Sequence, residues 1–157
     1  MRDHPSPSIP DNNPVTNLEA LRRGMARPGP RAGWQETVGA RLAEVDAGRA
    51  VVELDAHAGH RHPGGVVQGG IITQIADAAM GMSLLTLQPD DEANTTIELK
   101  INFVRPVVEG RIRAVGRVVE MRRTLLFSEA DVFDQEDRLV ARASSTCLAI
   151  ARTGWRG

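Results

Sequence analysis

Asp77 stands among Ala76, Ala78, Ala79 and Met80, where a carboxylate is neither a helix cap nor a favoured helix former. Charged side chains are rarely set among apolar neighbours without a partner. Two readings of it stay open. It is a carboxylate hydrogen-bonded to a partner strand or placed at a subunit contact, or it is a nucleophile or general base whose pKa is tuned by partial burial. The pair Gly69-Gly70 supplies a complement to the second. Free backbone N–H groups at a helix start, together with the positive end of the helix dipole, can hold an oxyanion or polarise a carbonyl. Two glycines let a ligand approach that backbone closely, although such a pair also serves as an ordinary turn. Gly69 and Asp77 are eight residues apart, roughly 12 Å along a helix. A reacting carbonyl must lie within about 3 Å of each group, which one chain does not readily provide. Two antiparallel copies of the helix do, so this chemistry requires at least a dimer with composite sites at its two-fold interface.

Other candidates are weaker. His57, His60 and His62 match no standard zinc spacing, and no Cys, Asp or Glu completes a ligand set, so no metal is assigned. His57 and His60 read as solvated loop residues. His62, just before Pro63-Gly64-Gly65, is within reach of the helix start and could donate to a carbonyl or act in proton transfer. Cys147 lies among Ser, Thr, Leu and Ala and reads as a small buried hydrophobe. There is no Gly-x-Ser-x-Gly elbow, P-loop or dinucleotide fingerprint.

The elements that must position these residues follow from pattern. Residues 1–14 hold four prolines and read as a flexible tail; 15–152 reads as a single domain and 153–157 as a second tail. Thr16-Asn17-Leu18-Glu19 has capping-box spacing, predicting a short helix over 16–26 that Pro28-Gly29-Pro30 stops. Trp34–Val45 and Arg49–Leu54 read as two strands joined at Asp46-Ala47-Gly48, followed by a loop over 55–68. Gly69 to Leu85 carries apolar residues on every side, the mark of a helix enclosed by other structure. Four strands follow: Thr95–Val104, Arg111–Met121, Leu125–Phe133 and Leu139–Ile150. One such helix with strands on both sides of it predicts an α+β fold, a curved antiparallel sheet wrapped around the helix.

At 157 residues the chain is long enough for one core, and its net charge is −1. That near-neutral balance removes the electrostatic footprint of a nucleic-acid or anionic-membrane binder. A single Cys excludes an intrachain disulfide framework. Gly70–Leu87, interrupted by Gln74 and Asp77, is too polar for a membrane span, and the polar, proline-rich start is no signal peptide. The expected location is the cytoplasm. Three Phe, two Trp and no Tyr leave little for base stacking.

The segment His62-Pro63-Gly64-Gly65-Val66-Val67-Gln68-Gly69-Gly70, with Asp77-Ala78-Ala79-Met80-Gly81, resembles the hotdog-fold acyl-CoA thioesterases. It is most similar to the phenylacetic-acid-degradation branch, related to the 4-hydroxybenzoyl-CoA thioesterases. Thr96-Ile97-Glu98-Leu99-Lys100-Ile101-Asn102-Phe103-Val104-Arg105-Pro106 looks like the strand after the helix, and the likeness runs over about residues 33–150. It implies a hotdog fold, usually a homodimer or a dimer of dimers (a homotetramer), hydrolysing an acyl-CoA thioester with no cofactor beyond the CoA of the substrate. By the same resemblance Asp77 is the catalytic carboxylate, acting as nucleophile or as base toward water. The Gly69 N–H polarises the thioester carbonyl, beside Gly70, and Thr96 orients the attacking water. His62 stands where the family usually has Asn, and Gln68 where it often has His; both keep a hydrogen-bond donor. CoA contacts in the family come from basic residues near the mouth of the site. Arg105, Arg122 and Arg123 are therefore candidates for its phosphates, although eighteen arginines in the chain place some on turns by chance. Two alternatives remain: a hydratase or dehydratase pairing His62 with Asp77, and an acyl-CoA-binding protein without turnover.

Overall fold

The computed structural model describes residues 17–26 and 33–152. The two expected tails, Thr16 and the Pro28-Gly29-Pro30 stop lie outside the described residues. Helix α1 spans Asn17–Ala26. Its first residue is its anchor: Asn17 is buried, and its Nδ2 donates to the carbonyls of Gln88, Pro89 and Glu92 at 3.3, 2.7 and 3.2 Å.

The expected strand from Trp34 is corrected. Trp34–Val38 forms a one-turn helix, α2, and β1 begins only at Ala40 and runs to Asp46. Two glycines bound this turn at positive φ, Gly33 before it at 61° and Gly39 after it at 77°; Gly39 takes the left-handed conformation that ends a helix at small cost only for a residue without Cβ. Trp34 and Val38, four apart, then share one helix face and pack together on the core. A short apolar-polar run fits either period, and the bracketing glycines decide between them.

Strand β2 runs Arg49–Ala56, and a 3-10 turn over Ala58–His60 leads into the loop before the long helix. Helix α3 occupies Gly69–Leu85, as the sequence predicts. Strands β3 (Glu92–Phe103), β4 (Gly110–Met121), β5 (Leu125–Phe133) and β6 (Leu139–Ala151) complete the chain. All strand pairs are antiparallel, in the order β1-β2-β4-β5-β6-β3. β3, the first strand after the helix, thus crosses to the far edge and, among the described residues, pairs only with β6. This is the curved sheet around a central helix that defines the hotdog architecture.

Helix and sheet meet at very short range. Gly116 of β4 has no side chain, and a Cβ built there would stand 2.2 Å from the Ala79 carbonyl oxygen and 2.7 Å from Met80 N. A side chain at 116 would therefore push α3 off the sheet. The helix buries Ile72, Ile75, Ala76, Ala79, Met80, Ser83 and Leu84 against the strands, spaced by threes and fours as one face of a helix requires. The opposite face, including Gln74, Asp77, Ala78, Gly81, Met82 and Leu85, is only half-buried. A helix apolar all round is thus enclosed on one side by its own sheet and left open on the other. That open face carries Asp77.

Candidate active site

The Asp77 carboxylate projects from the middle of α3 toward β3, where Thr96 Oγ1 donates to its Oδ1 at 2.9 Å. Asp77 makes no other hydrogen bond among the described residues, so its second oxygen faces the adjoining space. β3 carries a bulge between Thr96 and Glu98 opposite β6, the device by which a strand re-aims side chains next to a site. Behind Thr96 lies the buried Cys147, its Sγ 3.6 Å from Thr96 Oγ1. The Ser145 and Ser128 hydroxyls, 3.0 Å apart, extend this chain inward, with Ser145 Oγ 3.8 Å from the thiol. Cys147 is buried as the sequence suggests, but it also backs the hydroxyl that holds the carboxylate.

Two hollows meet at this pair. A cleft of about 640 Å³ runs from Asp77 and Thr96 past Gly81, Asn94 and Met82 toward Trp34. A second hollow of about 360 Å³ lies on the other side and is lined by Gly70, Thr73, Gln74 and Leu99 as well as Asp77 and Thr96. Gln74, one turn before Asp77, lines both. It was legible in the sequence as a polar residue three positions from the carboxylate on an otherwise apolar helix. Asn94 carried no such signal, because only the sheet topology brings the start of β3 against α3.

The remaining residues singled out by the sequence are placed as follows. Gly69 is the first residue of α3, and its amide finds no acceptor among the described residues. The Phe103 ring lies over it, 3.0 Å from where a Cβ would stand. Gln68 caps the helix, its Oε1 accepting from Gly70 N at 3.2 Å. The helix start therefore presents Gly69 N–H and occupies Gly70 N–H. His62 is exposed, with Nδ1 accepting from Gly64 N at 2.9 Å inside its own tight turn, and it does not line the Asp77 cleft. His57 is exposed, as the sequence suggests, but His60 is buried, and the two form a reciprocal cap on the 3-10 turn with ring centroids 3.9 Å apart. Burial and the neighbouring His57 hold His60 below the ordinary histidine pKa. No cluster of three or more metal-ligating side chains occurs among the described residues.

The three candidate arginines are not brought together. Arg105 follows the end of β3 and donates to the Leu139 carbonyl at 3.1 Å. Arg122 and Arg123 sit in the β4–β5 turn, where Arg122 pairs with Glu120 at 3.2 Å and Arg123 is exposed. That turn lies beside Ala149, the register partner of Asn94, so about 30 Å of β3 separates it from Arg105.

The thioesterase superfamily model matches residues 64–141, from the turn before α3 into β6. A relative from Saccharolobus solfataricus named "Putative esterase" is 34% identical over 66% of this chain and 73% of its own length. The chain belongs to the thioesterase superfamily. This thioesterase is also similar to a 1,4-dihydroxy-2-naphthoyl-CoA hydrolase of Listeria monocytogenes, 24% identical over 73% of this chain and 93% of the relative. Its fold matches the PaaI protein of the Escherichia coli phenylacetic acid degradation operon at a TM-score of 0.70, with 20% identity over 74% of this chain and 83% of that one. As a member of the superfamily the enzyme is a thioester hydrolase, and the resemblance carried by Gly69-Gly70 and Asp77 holds. Among the described residues no helix is long and apolar enough to cross a membrane.

Proposed function

We propose that this thioesterase hydrolyses acyl-CoA thioesters with Asp77 as nucleophile or general base, at sites shared between two subunits. The observation that carries this reading is the Thr96–Asp77 hydrogen bond at the junction of two hollows. It fixes one carboxylate oxygen and leaves the other directed at solvent-accessible space. As a base, Asp77 takes a proton from water whose oxygen bonds to the thioester carbon. The tetrahedral oxyanion then collapses, the C–S bond breaks, and the CoA thiolate leaves and takes up a proton. Thr96 keeps the carboxylate in line, and a Gly69 N–H stabilises the developing oxyanion. No metal or redox cofactor enters this scheme.

Subunit sharing rests on distance and on uncovered surface. Asp77 and Gly69 of one α3 are two turns apart, roughly 12 Å, while the face of α3 bearing Asp77 is open. β3 is an edge strand with Ile97 and Phe103 each 53% exposed. A second copy covering this face would bring its own Gly69 toward Asp77 and bury that apolar edge. CoA phosphates would meet Arg123 and Arg122 of the β4–β5 turn, Arg122 exchanging Glu120 for phosphate, and Arg105, at the far end of β3, would join them only from the other subunit.

The test is thiol release from a panel of aliphatic and aromatic acyl-CoAs. Turnover is expected with wild type, and Asp77→Asn should lower kcat by roughly a hundredfold to ten-thousandfold. No turnover above background on any member, or full activity in Asp77→Asn, overturns the proposal.

A further inference from the structure

The open face of α3 carries one polar side chain that the roles of Asp77, Thr96 and Gly69 leave unused. Gln74 precedes Asp77 by three residues, so the two leave the same face of the helix with Cβ atoms roughly 5–6 Å apart. Gln74 is half-buried and lines both hollows that meet at Asp77. The other hydroxyls of the smaller hollow have spent their protons. Thr73 Oγ1 donates to the Gly69 carbonyl at 2.9 Å, and Thr96 Oγ1 donates to Asp77 Oδ1 at 2.9 Å. Gln74 makes no hydrogen bond among the described residues. A second copy covering this face would take water from its amide, which is costly unless another partner takes the place of that water.

We propose that Gln74 Oε1 accepts a hydrogen bond from the second proton of the attacking water while Asp77 takes the first, so that Asp77 works as a general base. This rests on the thioesterase reading of the same site. Two acceptor oxygens bridged by one water stand about 4.5 Å apart, a span that side chains three residues apart on a helix cover. Both protons then point at α3, and a lone pair points away from it toward the thioester carbon. In the step itself the water oxygen bonds to that carbon and one proton passes to Asp77. The other proton stays on the oxygen, held by Gln74, and becomes the hydroxyl proton of the tetrahedral intermediate and then of the acid. On collapse the C–S bond breaks, and the thiolate carries away the proton from Asp77. A carboxylate that attacked the carbon itself would have no use for a second acceptor in that step.

The experiment runs the enzyme on an acyl-CoA in buffer containing methanol and measures acid against methyl ester. Methanol gives its single O–H proton to Asp77, and its methyl group stands where water offers the second proton to Gln74. Gln74→Met keeps the length of the side chain but leaves only a weak acceptor. Its acid-to-ester ratio should fall by roughly threefold to tenfold from wild type, and its kcat by about as much with KM little changed. Gln74→Glu keeps an acceptor oxygen, and its ratio should stay within about twofold of wild type whatever the added charge does to kcat. Each ratio is internal to one preparation, so partial loss of fold does not imitate the effect. A ratio lowered equally in both variants assigns the effect to packing and overturns the proposal. A ratio unchanged in Gln74→Met but lowered in Thr96→Val gives the second proton to Thr96 and overturns it too. A single turnover in heavy-oxygen water, with enzyme in excess, should place the label in the acid; unlabelled acid shows attack by the carboxylate itself and refutes the base. Thiol release that requires Asp77, with an unchanged ratio in Gln74→Met, overturns this proposal alone. No thiol release from any acyl-CoA, or full activity in Asp77→Asn, overturns the reading it rests on as well.

Discussion

A hydroxyl that donates to a carboxylate is strong and directional, since a charged acceptor roughly doubles the energy of a neutral hydrogen bond. Thr96 therefore restrains Asp77 to one rotamer as long as Thr96 itself is restrained. The buried Cys147 thiol 3.6 Å away supplies that restraint. Thr96→Ala should lower kcat by roughly tenfold to a hundredfold with KM little changed, whereas Thr96→Ser should retain most of the rate. Steady-state kinetics of the two variants on one acyl-CoA decide this, and equal losses in both would assign the effect to packing. At this scale the sequence was informative where a residue type was out of place. Asp77 on an apolar helix declared itself; Asn94 and Gly81 did not, because an Asn before a strand and a Gly in a helix are ordinary until they face one another.

At the scale of elements, α3 is held by a contact with no side chain between the two backbones. Gly116→Ala places a methyl group 2.2 Å from the Ala79 carbonyl oxygen, a position from which neither backbone can rotate away. The cost should reach or exceed the 1–3 kcal/mol typical of overpacking, read as a lower denaturant midpoint at unchanged slope. Because Ala79 lies two residues from Asp77, activity should fall with it. The helices and strands from Gly69 onward were legible from their periods, while α2 was not. Trp34-Gln35-Glu36-Thr37-Val38 is too short for its period to separate helix from strand, and the positive φ of Gly33 and Gly39 settles the matter.

For the whole molecule, acid stability depends on ion pairs that tie neighbouring strands. Asp131, 6% exposed, accepts from Arg142 Nε at 2.6 Å and Arg117 at 2.9 Å. Burial acts to raise its pKa, but the two guanidiniums outweigh it and leave the carboxyl below the usual range. Asp134 is likewise lowered: burial opposes, and the backbone and side chain of Arg138 prevail. A depressed folded-state pKa contributes stability that is complete above the unfolded carboxylate value of about 4 and is lost as pH falls below it. Thermal midpoints should therefore hold between pH 5 and 7, as far as these two groups govern them, and drop below about pH 4. Asp131→Asn should flatten that drop. Subunit sharing is tested at the same scale. Gly69→Ala, which meets the Phe103 ring but keeps the N–H, is the steric control; Gly69→Pro removes the N–H at the first helical position, and Asp77→Asn removes the carboxylate. Gly69→Pro and Asp77→Asn alone should each be nearly inactive. Co-expressed, they should regain about a quarter of wild-type activity through mixed dimers with one intact site; no recovery would place the whole site within one chain.

The sequence by itself determined the family and the long central helix, and its spacing of Gly69 and Asp77, converted into a distance by helical rise, is what the proposal of a second copy rests on. Only the tertiary structure decided which partners those residues have. The crossing of β3 to the far edge of the sheet sets Thr96 against Asp77 and Asn94 against Gly81, while His62 and Gln68 make only local turn and cap bonds among the described residues. Contacts between residues nineteen and thirteen positions apart follow from strand order and the bulge in β3, which no local period encodes.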